Sequence, residues 1–132
     1  MNAFIIDLDN RPGSLADVTA AIAEKGINIT SVAGATGTGT GTIAVATNDE
    51  EATRSALQGA GANFREVGLA SGALEHRPGS LAETTRQLAD AGVNSEAILP
   101  MGMEGNKITV AFGVDNVEAA RSVLGQGASI GA

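Results

Sequence analysis

The stretch Arg11-Pro12-Gly13-Ser14-Leu15-Ala16 recurs as Arg77-Pro78-Gly79-Ser80-Leu81-Ala82, an offset of 77 − 11 = 66 residues. The same offset carries Gly26-Ile27-Asn28 onto Gly92-Val93-Asn94. Later, Arg54-Ser55 matches Arg121-Ser122 at 121 − 54 = 67, so one residue was inserted between the two anchors. The chain is therefore an internal tandem repeat, with halves at residues 1–67 and 68–132.

Working outward from the repeated corner, each half predicts strand, helix, two strands, helix, strand. In the first half Phe4, Ile6 and Leu8 alternate along one side of a strand. Pro12 suits a first helical position, where its missing N–H costs nothing. Leu15, Val18 and Ile22 then form one apolar stripe, and Gly26 closes the helix in a left-handed cap. Residues 27–33 and 42–47 read as strands around a glycine-rich turn. Asp49 opens a second helix with Ala52, Ala56 and Leu57 inward, and residues 63–67 form a short closing strand. The second half repeats this order: strand 69–75, a helix with Leu81, Thr85 and Leu88 inward, strands 93–99 and 107–114, a helix from Asn116, and a weak strand at 128–130. Ala70 and Gly72, standing where Phe4 and Ile6 stand in the first half, predict close approach of another element. The order βαββαβ gives an α+β fold of two ferredoxin-like repeats, with antiparallel sheets, helices on one face and right-handed crossovers. Halves this small bury too little surface alone, so the sheets are expected to pair side by side.

The net charge of −7 and the near-absence of aromatics exclude most nucleic-acid chemistry, which needs cations against phosphate and stacking platforms for bases. The same charge disfavours anionic membranes, and no apolar run approaches spanning length. With no cysteine, disulfides, thiolate nucleophiles and cysteine metal sites are ruled out. A cytoplasmic location is expected.

The corner is the leading site candidate. Backbone N–H groups of Gly13, Ser14 and Leu15 at a helix start lack intrahelical acceptors, and with the helix dipole they suit a carboxylate. Asn10 and Asn28 can both accept from an ammonium and donate to a carboxylate. His76, Arg77, Pro78, Gly79, Ser80, Leu81 and Asn94 stand at matching places in the second half. From chemistry alone, a second account stands beside this one: Pro-Gly-Ser starts a helix cleanly and Asn28 ties down a turn. The run Gly34–Thr42 lies between strands with no lysine nearby, so it predicts a hairpin connection rather than a phosphate loop, with cover over a ligand as a lesser role. His76, the single histidine, has no clustered ligands and reads as a polar neighbour of the corner, neither a metal ligand nor a catalyst. Asp7 and Asp9 read as a solvated face, and Met101 and Met103 as core fillers.

Asp9 through Leu15 followed by Gly26-Ile27-Asn28-Ile29 resembles the signature of an ACT domain, and Glu75 through Leu81 followed by Gly92-Val93-Asn94 resembles a second. The resemblance implies a non-catalytic regulatory module that binds a small molecule, most often an amino acid, where paired domains meet. It implicates Asn10, Pro12, Gly13, Ser14, Leu15 and Asn28, with His76, Pro78, Gly79, Ser80, Leu81 and Asn94 in the second copy; Arg11 and Arg77 belong to the same corners. It implies no cofactor, a homodimer, and regulation of an enzyme of amino-acid metabolism. His76 departs from the expected asparagine, so the two sites are not equivalent. The competing expectation is an interaction subunit that docks on such an enzyme without binding a ligand itself.

Overall fold

The structure, a computed structural model, describes residues 1–125; the strand expected at 128–130 lies outside them. Among the described residues, six strands and four helices follow in the order β1 (Asn2–Asp9), α1 (Ser14–Ala23), β2 (Ile29–Thr36), β3 (Thr40–Thr47), α2 (Glu50–Gly59), β4 (Phe64–Glu75), α3 (Ser80–Asp90), β5 (Ser95–Glu104), β6 (Lys107–Val114) and α4 (Val117–Leu124). All the pairings between β1, β2 and β3, and between β4, β5 and β6, are antiparallel, as the alternating patterns require. Among the described residues no helix is long and apolar enough to cross a membrane.

The chain divides into two compact units, Ala3–Glu66 and Met1–Asn2 with Val67 onward. In the first, β3 lies between β1 and β2, and the Asp7 N–H donates to the Asn63 carbonyl (2.9 Å), bringing the chain that enters β4 alongside β1. Its core joins Phe4 and Ile6 of β1, Ile22 of α1, Ile43 and Val45 of β3, and Leu57 of α2. Phe64 tilts against Phe4 with ring centroids 6.0 Å apart. In the second unit β6 lies between β4 and β5, and Phe112 of β6 fills the core with Leu74, Leu88, Val93 and Val110. The close approach predicted at Gly72 is present: a Cβ there would stand 3.2 Å from Leu124 of α4.

Four expectations need correction. The two strands expected at 63–67 and 69–75 are one continuous strand, β4. Gly68 between them is not a turn residue; a Cβ there would lie 2.5 Å from the Val117 side chain, so the glycine makes room for α4. Pro12 is not the first helical residue, because α1 begins at Ser14 with Gly13 as its cap. The stripes also shift by one residue: Ser14 and Ser80 are buried, whereas Leu15 is 50% and Leu81 46% exposed. Met103 fills no core gap either, being 60% exposed.

Candidate functional site

The corner after β1 is a turn with strict residue requirements. The Ser14 N–H donates to the Arg11 carbonyl at 3.3 Å, and Gly13 between them has φ 91° and ψ −17°. These are the features of a type II turn, in which proline presets the first central residue and the second must take positive φ. Arg77–Ser80 repeats it, with the same 3.3 Å bond and φ 87°, ψ −14° at Gly79. The turn delivers the chain into the helix with Ser14 or Ser80 pointing inward. It also corrects the expectation of three free amides per corner. Ser14 and Ser80 use their N–H groups to close the turn, while those of Gly13, Leu15, Gly79 and Leu81 have no backbone acceptor among the described residues.

Each corner opens into a cavity. The first, ≈250 Å³, is walled by Leu8, Asn10, Arg11, Ser14 and Leu15, and across from them by Gly34, Thr36, Gly41 and Ile43 of the β2–β3 hairpin. The second, ≈270 Å³, is walled by Leu74, His76, Arg77, Ser80 and Leu81, facing Ile98, Pro100, Ile108 and Val110 of β5 and β6. Ser14 and Ser80 are each only 8% exposed. Neither hydroxyl makes a hydrogen bond among the described residues, yet neither is a sealed orphan. Each residue is largely buried, but its hydroxyl keeps open surface and lines the cavity, where water or a ligand can pair with it. Ser14 also borders a neighbouring, more acidic hollow of ≈210 Å³ with Asp7, Asp9, Asp17 and Asn63.

The two arginines differ in freedom. Arg77 donates to Glu75 and Glu83, both at 2.9 Å. Hydrogen bonding to Glu83 and then Glu75 raises its pKa above the ordinary arginine value. Arg11 donates to the Pro12 carbonyl at 3.4 Å, and its one carboxylate contact among the described residues is with Asp9 at 3.8 Å. Asp9 and Asp17, standing where Glu75 and Glu83 stand, are each one methylene shorter. The first corner therefore keeps the less committed guanidinium.

The sequence-named residues thus divide. Asn10, Arg11, Ser14 and Leu15 share one cavity, and His76, Arg77, Ser80 and Leu81 the other. Pro12, Gly13, Pro78 and Gly79 build the turns. Asn28 and Asn94 stand apart, at the opposite end of the helices: the Asn28 N–H donates to Asn48 Oδ1 at 3.0 Å, and the Asn94 N–H to Asp115 Oδ1 at 2.9 Å. Within one unit they tie the strand to the start of the following helix. The first corner's hairpin was expected only in a lesser role, as cover over a ligand, and the second corner's not at all, although the strand order contained the signal. Antiparallel pairing sets Gly41 opposite Leu8 and Thr40 opposite Asp9, so the glycine-rich turn must lie at the corner's end. Among the described residues no group of three or more histidine or acidic side chains could hold a metal ion.

Residues 3–58 match the ACT domain family. No curated protein matches the chain. Among solved structures, a Bacteroides thetaiotaomicron protein is similar with a TM-score of 0.75 and 23% identity, over 93% of this chain and 85% of that one. The ligand-free regulatory subunit of aspartate kinase from Thermus thermophilus gives 0.68 and 21%, covering 96% and 91%. The corresponding subunit from Thermus flavus gives 0.62 and 21%, covering 93% and 90%. At these identities the likeness is one of fold.

Proposed function

With an ACT domain in its first repeat and the same fold in its second, the chain is, we propose, a cytoplasmic regulatory protein that binds a small amino acid-like effector at its corners and has no catalysis of its own. The observation that carries this reading is a serine at each corner, Ser14 and Ser80, whose uncommitted hydroxyl lines a cavity beside helix-start amides without backbone acceptors. A ligand carboxylate is suited to the N–H groups of Gly13 and Leu15 and to the Ser14 hydroxyl, in the positive field of the helix start. Asn10 and Asp9 lie on the same rim to receive an ammonium group. Two structures of this fold are regulatory subunits of aspartate kinase, which supports a regulatory role. The reading extends to a homodimer that acts on a separate enzyme of amino-acid metabolism.

Thermal unfolding against a panel of free amino acids tests it. A ligand at a hundred times its Kd stabilises the folded state by about 2.7 kcal/mol, so at least one amino acid raises Tm. Ser14→Ala and Ser80→Ala leave unliganded stability nearly unchanged, since no hydrogen bond is lost, but diminish the ligand-induced rise. If no amino acid at millimolar concentration shifts Tm, the reading fails.

The exposed Val32 and Met103 on β2 and β5 favour a second reading, an interaction subunit that docks on an enzyme without a ligand. Co-purification with one specific enzyme, unaffected by Ser14→Ala or Ser80→Ala, distinguishes it.

A further inference from the structure

The repeat permits a comparison of the two cavities position by position, because antiparallel pairing supplies the register. Leu8 corresponds to Leu74, Ser14 to Ser80, and Leu15 to Leu81. Gly34 pairs with Ile43 as Pro100 pairs with Val110, so those two pairs correspond. Gly41 pairs with Leu8 as Ile108 pairs with Leu74. The floor and the helix start are thus preserved, while Asn10 gives way to His76 and the hairpin wall is replaced. Glycine at 34 and 41 becomes proline and isoleucine, and Ile98 joins the second cavity although its counterpart Val32 does not line the first.

We infer that the two corners select different side chains: the corner at Ser80 takes an amino acid with a branched apolar side chain, and the corner at Ser14 one with a small or hydroxylated side chain. This rests on the amino-acid reading above and adds the substrate class of each site. Ile98, Pro100 and Ile108 with Leu74, Leu81 and Val110 surround the second cavity with aliphatic surface on both sides. Leu81 and Ile98 remain 46% and 43% exposed, so apolar area stands uncovered where a ligand side chain would cover it. Arg77, held by Glu75 and Glu83, offers that side chain no free charge. In the first cavity Gly34 and Gly41 bring no side chain of their own, being covered by Ile43 and Thr36, and Thr36 puts a hydroxyl-bearing side chain into the wall in place of aliphatic surface, which suits a ligand that hydrogen-bonds.

Isothermal titration of the full chain with L-leucine and with L-threonine tests this, using Leu15→Glu and Leu81→Glu to block one corner each. Both sites lie in the first helical turn, where an acidic residue favours the helix, so the fold is retained; circular dichroism checks it. Leucine binding is expected to survive Leu15→Glu and be lost in Leu81→Glu, with threonine behaving oppositely. Ile98→Thr, on an exposed strand position and still β-branched, weakens leucine by about tenfold and leaves threonine unchanged. Leucine binding that survives Leu81→Glu, or that Ile98→Thr leaves intact, overturns the side-chain assignment while amino-acid binding stands. Absence of binding by every amino acid in the panel overturns both.

Discussion

Gly13 and Gly79 hold left-handed backbone at φ 91° and 87°, and each does so without crowding: an added Cβ would meet nothing closer than an arginine guanidinium at 3.9 Å. The demand for glycine is therefore purely conformational. Gly13→Ala is expected to destabilise the protein by about 1–2 kcal/mol, the penalty of left-handed backbone for an L-residue, measured by urea unfolding. It also misdirects Ser14, so ligand-induced stabilisation falls with it. At this same scale the sequence misled about Leu15. Apolar spacing put Leu15 with Val18 and Ile22, but the turn releases the chain so that Ser14, four residues before Val18 and eight before Ile22, takes the inward direction. Leu15, about 100° around the helix, is left at the cavity rim.

Helices α2 and α4 begin on the side chains that their sequences promise. Asp49 Oδ1 accepts from the Ala52 N–H at 3.0 Å, and Asn116 Oδ1 from the Ala119 N–H at 3.0 Å, each satisfying an amide that no preceding turn could. Asp49→Ala is expected to cost about 1 kcal/mol in thermal or denaturant unfolding, and Asp49→Ser to restore most of it. Behind this cap Thr53, which the apolar pattern overlooked, is fully buried. Its hydroxyl donates to the Asp49 carbonyl and lies 2.7 Å from the Thr47 hydroxyl. Arg54 of the same helix clasps Glu66 through both oxygens, at 2.6 and 2.7 Å. The hydrogen bond to Glu66 raises the arginine's pKa. The merged strand β4 belongs to this scale too: a lone glycine without a turn partner marked close packing, not a break.

Each repeat has its own core, built on the same pattern with the largest side chain moved. Phe4 stands opposite Val45 in the first repeat; Ala70 stands opposite Phe112 in the second. The offsets, 70 − 4 = 66 and 112 − 45 = 67, are those of the two repeat segments, so these are the same two positions. The aromatic has crossed from one strand to its neighbour, and the partner has shrunk to admit it, in keeping with the close packing of interiors. Phe4→Ala alone is expected to cost about 3–5 kcal/mol. Adding Val45→Phe, which recreates the second repeat's arrangement, is expected to recover part of that loss, although Val45→Phe alone destabilises by overpacking. A double-mutant cycle measured by denaturant unfolding reads the coupling directly, and strict additivity would refute the exchange.

The residues alone disclosed the duplication, the order of strands and helices apart from the two strands that merge into β4, the demand for proline and glycine at the corner, and the helix starts at Asp49 and Asn116. All of these are local signals, written in contiguous residues or in periods of two and 3.6. Only the tertiary structure decided that Ser14 and Ser80 point inward, that Leu15 and Leu81 border cavities, and that the hairpin of each repeat forms their far wall. It alone parted Asn28 and Asn94 from the corners within each unit. Those outcomes depend on helix phase and on strand register between residues far apart in the chain, and no local pattern carries that information.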